Sequence, residues 1–163
     1  VNIQGDEPFI SGMMIDQAIE PLLFDFEVNV STLAKVIDNV EEFNSPSVVK
    51  VVFDYKNFAL YFSRSPIPFV RDAKDEKEML EKANVYKHVG LYVYRKEYLL
   101  KFTKLEPTDL EQWEKLEQLR MLENGFKIKI VETEFDSFSV DTPEDLEKAR
   151  KIYSKLKKIE LAK

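Results

Sequence analysis

The sequence predicts an α/β domain on three observations. Short apolar runs rich in Val, Ile, Tyr and Phe alternate with longer stretches of helical periodicity. The chain opens on Val1-Asn2-Ile3-Gln4, an apolar run that passes straight into the polar turn Gly5-Asp6-Glu7-Pro8. Finally, 163 residues that are 44% hydrophobic and 33% charged suffice for a single globular domain with a core.

Taken in order, residues 1–4 read as a strand, and its apolar character predicts burial between parallel neighbours, since an exposed apolar edge invites aggregation. Asp6 then falls at the carboxyl end of a strand, where α/β sheets bind ligands. A carboxylate there suits Mg²⁺, which takes few protein carboxylates and is completed by phosphate and water; a solvated turn is the simpler alternative. Ser11 caps a helix whose apolar face is Met14, Ile15, Ala18, Ile19, Leu22 and Leu23, and Pro21 predicts an end or kink near Glu20. Residues 28–37 alternate as a strand, and Asp38 with Glu41 resembles a capping box for a short helix stopped by Asn44-Ser45-Pro46.

Residues 48–53 and 58–62 form a predicted hairpin about Asp54-Tyr55-Lys56-Asn57, left by an extended exit at Pro66 and Pro68. The charged stretch 71–82 reads as a loop with a short solvated helix. Residues 88–94 are a largely buried strand and 96–102 a helix. Thr108 caps one helix with Leu110, Trp113, Leu116, Leu119, Met121 and Leu122 inward, closed by Gly125. Residues 128–131 are a strand, and Thr142-Pro143-Glu144-Asp145 starts the last helix with cap, first-turn proline and acids together. No repeat or low-complexity linker divides the chain, so residues 1–163 are read as one domain.

Composition limits the function. A net charge of −6 argues against a polynucleotide partner but not against one nucleotide whose charge a metal neutralises. The absence of cysteine removes disulfides, zinc–thiolate sites and thiol nucleophiles, and the single histidine, His88, removes His-rich metal sites. No apolar run reaches membrane-spanning length and no signal peptide is visible. The chain starts on Val in mid-strand, which is read as a sequence that has lost its beginning.

Six segments together resemble the 3-deoxy-manno-octulosonate (Kdo) cytidylyltransferases. They are Asn2-Ile3-Gln4-Gly5-Asp6-Glu7-Pro8, Val49-Lys50-Val51-Val52, the run from Ala59 through Tyr61-Phe62-Ser63-Arg64 to Pro68, His88-Val89-Gly90-Leu91-Tyr92-Val93-Tyr94-Arg95, Leu116-Glu117-Gln118-Leu119-Arg120 and Val140-Asp141-Thr142-Pro143-Glu144-Asp145-Leu146. Gly-Asp-Glu-Pro and Asp-Thr-Pro-Glu-Asp recur in related sugar nucleotidyltransferases; the segments holding Arg64 and Glu117-Gln118 are more specific. The resemblance implies a Rossmann-like nucleotidyltransferase fold: a mixed sheet with helices on both faces and a β-hairpin dimerisation region. It also implies a Mg²⁺-dependent cytoplasmic homodimer that makes CMP-Kdo and pyrophosphate from CTP and Kdo for lipopolysaccharide synthesis. The family's glycine-rich triphosphate loop has no counterpart among the four glycines here, so residues 1–163 are expected to lack the N-terminal nucleotide-binding segment.

By the same resemblance Asp6 and Asp141 are the catalytic carboxylates, sharing Mg²⁺ between phosphate and sugar. Alternatively, Asp141 belongs only to the cap of the last helix. Arg64 follows a buried strand, and its planar fork suits the sugar carboxylate; Gln4, His88, Tyr92, Glu117 and Gln118 would line the sugar pocket. Taken singly, His88 reads as a structural histidine and Glu117-Gln118 as a solvated helix face. A homodimer interface is expected from about residue 66 through the strand 88–94. Two other readings stay open: a cytidylyltransferase for another acidic sugar such as a sialic acid, and a non-catalytic dimerisation or sugar-binding fragment.

Overall fold

The computed structural model describes residues 1–137, 139–140 and 142–160, with side chains through residue 154. Asp141 thus lies outside the described residues. Among the described residues, six strands form one mixed sheet: β1 (Asn2–Ile3), β2 (Val30–Val36), β3 (Lys50–Phe53), β4 (Ala59–Ser63), β5 (Tyr86–Tyr94) and β6 (Lys129–Glu132). Their order is β4-β3-β5-β2-β6, with β1 attached to β5; β2 and β6 are parallel and the other pairs antiparallel. The sheet curls until the hairpin turn meets β6, where Ala59 N donates to Ile128 O at 2.9 Å and Ile130 N to Asn57 O at 2.7 Å.

Strand alternation splits the core between the two faces. Leu33, Val89, Leu91 and Val93 pack with Met14, Ala18 and Leu22 of α1 (Gly12–Phe24). On the other face Val30, Ala34, Val51, Phe62, Tyr92 and Ile130 pack with Leu116, Leu119 and Met121. Those last residues come from the segment holding α4 (Lys96–Phe102), α5 (Asp109–Glu114) and α6 (Glu117–Glu123). Two short helices, α2 (Val40–Asn44) and α3 (Glu76–Lys82), bracket a smaller cluster of Ile37, Phe43 and Val85, and α7 spans Pro143–Glu160.

Four expectations are corrected. Residues 1–4 are exposed, and β1 pairs only with β5 and antiparallel, so it is not buried between parallel strands. With only two residues in the ladder and no second neighbour among the described residues, it has nothing to bury it. Second, α1 runs through Pro21 to Phe24, because its apolar face of Met14, Ala18 and Leu22 stays packed on the sheet on both sides of the proline. Ser31 Oγ donates to Ala18 O, and Arg95 Nη2 donates to Leu22 O at 2.7 Å. Leu23 on that helix is 65% exposed. Third, the cap of α2 is Asn39, not Asp38; its side chain accepts from Glu42 N at 2.8 Å.

The fourth correction matters for function. The helix expected from Thr108 to Gly125 is two helices, broken where Lys115 takes the left-handed conformation (φ 55°). The break turns α5 relative to α6 and leaves Trp113, expected in the core, 74% exposed. It also leaves the Glu114 carbonyl without the intrahelical partner that a continuous helix would supply.

Candidate active site

The sheet forks at the middle of β5. Along one edge β3 pairs with Tyr86 and Lys87, and β1 pairs with Leu91 and Tyr92. Between them His88 N donates to Val49 O at 2.8 Å, just before β3, and Gly90 O accepts from Gln4 N at 3.0 Å, just after β1. So β1 ends and β3 begins on opposite sides of the same short stretch of β5. A cleft of about 880 Å³ opens there, lined by Gln4, Asp6, Arg64, His88, Glu117 and Gln118 among others. On its other edge β5 carries extra residues: Thr32 pairs with Tyr92 but Leu33 with Val89, a bulge of the kind found beside active sites. Gly90 lies in it, and a methyl group there would run into the Gln4 amide and sit 3.2 Å from Glu7 Cγ.

Asp6 stands at the carboxyl end of β1, as the sequence predicts. Its Oδ1 is buried and has no hydrogen-bond partner among the described residues. Asp6 lines the cleft, and a carboxylate with an oxygen left unpartnered suits a hard cation, so Asp6 fits the implied Mg²⁺. The Asp6 carbonyl accepts from Val140 N at 2.8 Å, which ties the segment ending at residue 140 to this turn, and Thr142 lines the same cleft. Glu7 accepts from Gly90 N at 3.3 Å and from Ser137 Oγ, fixing the turn against β5.

Arg64 is held by the broken helix. Its Nε donates to Glu114 O at 2.7 Å, the carbonyl freed by the break, and its Nη1 donates to Pro46 O at 2.8 Å. A guanidinium has five N–H donors, so these two bonds aim the fork and leave donors for a ligand. The Glu114 carboxylate fastens the end of β4, accepting from Arg64 N at 2.9 Å and Ser63 Oγ at 2.7 Å. Burial pushes the Glu114 pKa up, yet these bonds and the Arg64 charge outweigh it and hold the group below its ordinary value. Sequence reading missed Glu114, which looks like any surface glutamate on a helix. The only signal for it is that it lies two residues before the Leu116-Glu117-Gln118 motif.

His88 is neutral. Thr32 Oγ1 lies 2.9 Å from His88 Nε2 and 2.7 Å from Leu91 O. The hydroxyl has one proton, and with it given to Leu91 O, Nε2 must be the donor; Nδ1 is left as an acceptor. Desolvation lowers the His88 pKa to about 3. As the chain has a single histidine, its ring ¹⁵N shifts report on this directly. The expected spectrum shows the Nε2–H tautomer with no titration above about pH 4; a midpoint near the ordinary 6.5 would refute the assignment. A folded pKa below the unfolded one also means that His88 withdraws stability as pH falls below the unfolded value.

Tyr92 does not reach the cleft wall. It is 4% exposed, its ring lies 5.2 Å from that of His88, and its buried hydroxyl has no partner among the described residues. Burial, then the nearby Tyr94 and Glu117, raises its pKa. Glu117 and Gln118 begin α6 directly after the break, with Gln118 buried. The structure therefore gathers Gln4, Asp6, Arg64, His88, Glu117 and Gln118 and sets Tyr92 behind them.

The mixed sheet, with helices on both faces and a polar cleft where its strands part, is a nucleotidyltransferase fold. A CMP:2-keto-3-deoxy-manno-octonic acid synthetase solved in complex with CTP superimposes with a TM-score of 0.82 at 39% identity, over 94% of this chain and 61% of that one. The family model for cytidylyltransferases matches residues 1–130, and the chain belongs to that family. It is 55% identical over 162 residues to the 3-deoxy-manno-octulosonate cytidylyltransferase of Geotalea uraniireducens, covering 97% of this chain and 63% of that protein. It is 58% identical over 154 residues to that of Pelobacter propionicus, covering 92% and 60%. The chain thus spans about three-fifths of the length of these relatives.

Proposed function

We propose that this chain forms the sugar-acid-binding face of an enzyme that transfers CMP from CTP to Kdo, giving CMP-Kdo and pyrophosphate. One observation supports this above the rest. Six residues that the family resemblance assigns to the site surround a single cleft, in a chain more than half identical to curated Kdo cytidylyltransferases. In this reading a sugar hydroxyl oxygen bonds to the α-phosphorus of CTP, the bond from that phosphorus to the pyrophosphate oxygen breaks, and the hydroxyl proton leaves to solvent. Arg64, aimed by two carbonyls, takes the sugar carboxylate, while neutral His88 accepts from a sugar hydroxyl through Nδ1 and Gln4, Glu117 and Gln118 orient the remaining hydroxyls. Asp6, together with Asp141, would hold Mg²⁺. When bound, that ion neutralises phosphate charge and favours the ionised nucleophile.

The same reading makes the protein a cytoplasmic homodimer serving lipopolysaccharide synthesis; no described helix is long and apolar enough to cross a membrane. The exposed Phe69, in the segment after the hairpin, belongs to the expected dimer surface. Pyrophosphate release by the intact gene product, measured with CTP and a panel of acidic sugars, is the test. Turnover is expected with Kdo and Mg²⁺ and not without either. Preferential turnover of a sialic acid would move the assignment to that substrate, and no turnover with any sugar would favour a non-catalytic role.

A further inference from the structure

Lys50, the first residue of β3, is fully buried. An ammonium group taken out of water costs several kcal/mol unless it is compensated, and an apolar residue of similar size would be cheaper. Nothing in the reaction described so far uses it. Its Nζ donates to two main-chain carbonyls, Ser45 O at 2.8 Å and Val48 O at 2.5 Å. Between those residues stands Pro46, whose carbonyl takes Arg64 Nη1. Three carbonyls of the loop 45–48 therefore turn inward onto two cations, while Ser45, Ser47 and Val48 of the same loop line the cleft.

We propose that Lys50 is a positioning residue for the sugar acid: it holds the loop 45–48 as a fixed cleft wall and thereby fixes the carbonyl that aims Arg64. The inference rests on the function proposed above. Lys50 also keeps a positive charge behind the guanidinium without touching the ligand. The charged groups facing it are Arg64 beyond β4, Glu114 at the end of α5, and Lys87, its partner in the β5 register, itself paired with Glu42 of α2 at 2.8 Å. Burial first, then repulsion by Arg64, lowers the Lys50 pKa to about 8 against the opposing pull of Glu114. The bound sugar anion favours the protonated form, so by linkage its affinity falls as Lys50 loses its proton.

The test is Lys50→Met in the intact gene product, which keeps most of the unbranched side chain and removes its charge and donors. The KM for Kdo is expected to rise about tenfold or more, with kcat and the KM for CTP changed by less than about threefold. Amide exchange at residues 45–49 should quicken in the variant. In the wild type the KM for Kdo should climb between about pH 7.5 and 9.5, and that climb should vanish in Lys50→Met. A folded variant with unchanged KM for Kdo and unchanged exchange would overturn the proposal. If the variant fails to fold, the wild-type profile decides, and a flat KM over that pH range overturns it. If the wild type does not turn over Kdo, the proposed function fails by itself, and the exchange rates still judge the loop.

Discussion

Asp6→Asn is expected to reduce pyrophosphate release by about a thousandfold, roughly 4 kcal/mol, while leaving the melting temperature unchanged or slightly raised. The two halves of this result share one origin. Among the described residues, the buried Asp6 Oδ1 has no hydrogen-bond partner, so its replacement breaks no side-chain bond in the ligand-free fold. Asparagine keeps the size and one acceptor oxygen but is a poor ligand for a hard cation. Paired thermal melts and Mg²⁺-dependent turnover of the intact gene product measure both effects. Near-normal turnover would remove Asp6 from the chemistry, and a large fall in melting temperature would make it a structural residue. Asp141→Asn belongs in the same experiment, because asparagine can still serve at a helix start.

Glu114→Gln is expected to cost about 2 kcal/mol of stability and to raise the KM for Kdo by about tenfold or more. The carboxylate is the counter-charge for both Arg64 and Lys50, and it gathers the Arg64 N–H and the Ser63 hydroxyl at the end of β4. Glutamine can accept at one oxygen only and leaves the two cations facing each other uncompensated. The pH dependence follows from the lowered pKa of Glu114. Its stabilisation is complete above the unfolded value near 4.5 and is lost as pH falls through the lower folded value. Denaturation curves of wild type and variant should therefore differ most near neutrality and converge in acid. A constant gap down to about pH 3 would show that the charge is not what matters.

Much of the fold is legible from local pattern, because its elements are written in short-range signals. The helix Lys96–Phe102, the hairpin about Asp54–Asn57 and the Ser11 cap each depend on residues close in sequence. Where the reading failed, distant partners decided the outcome. α1 continues through Pro21 because Ala18 and Leu22, on either side of it, are buried against strands of the sheet. The break at Lys115 is invisible in a run of uninterrupted helical periodicity, yet Arg64, fifty residues away, takes the carbonyl that the break sets free. The site divides in the same way. Side chains that line the cleft come in recognisable motifs, whereas Glu114 and Thr32, which contact Arg64 and His88 from behind, carry no local mark.

The fork in the sheet has a consequence for how such a site can vary. Its width is not set by a loop that can lengthen by small degrees. It is set by how many residues of β5 are left unclaimed between the two strands on its edge, and that is a whole number. Sliding either strand by one residue would turn its alternate side chains to the opposite face, so no half-step is available. The dimensions of this pocket are therefore quantised by register: substitution of wall residues can retune what it holds, but resizing it demands a jump of complete ladder steps.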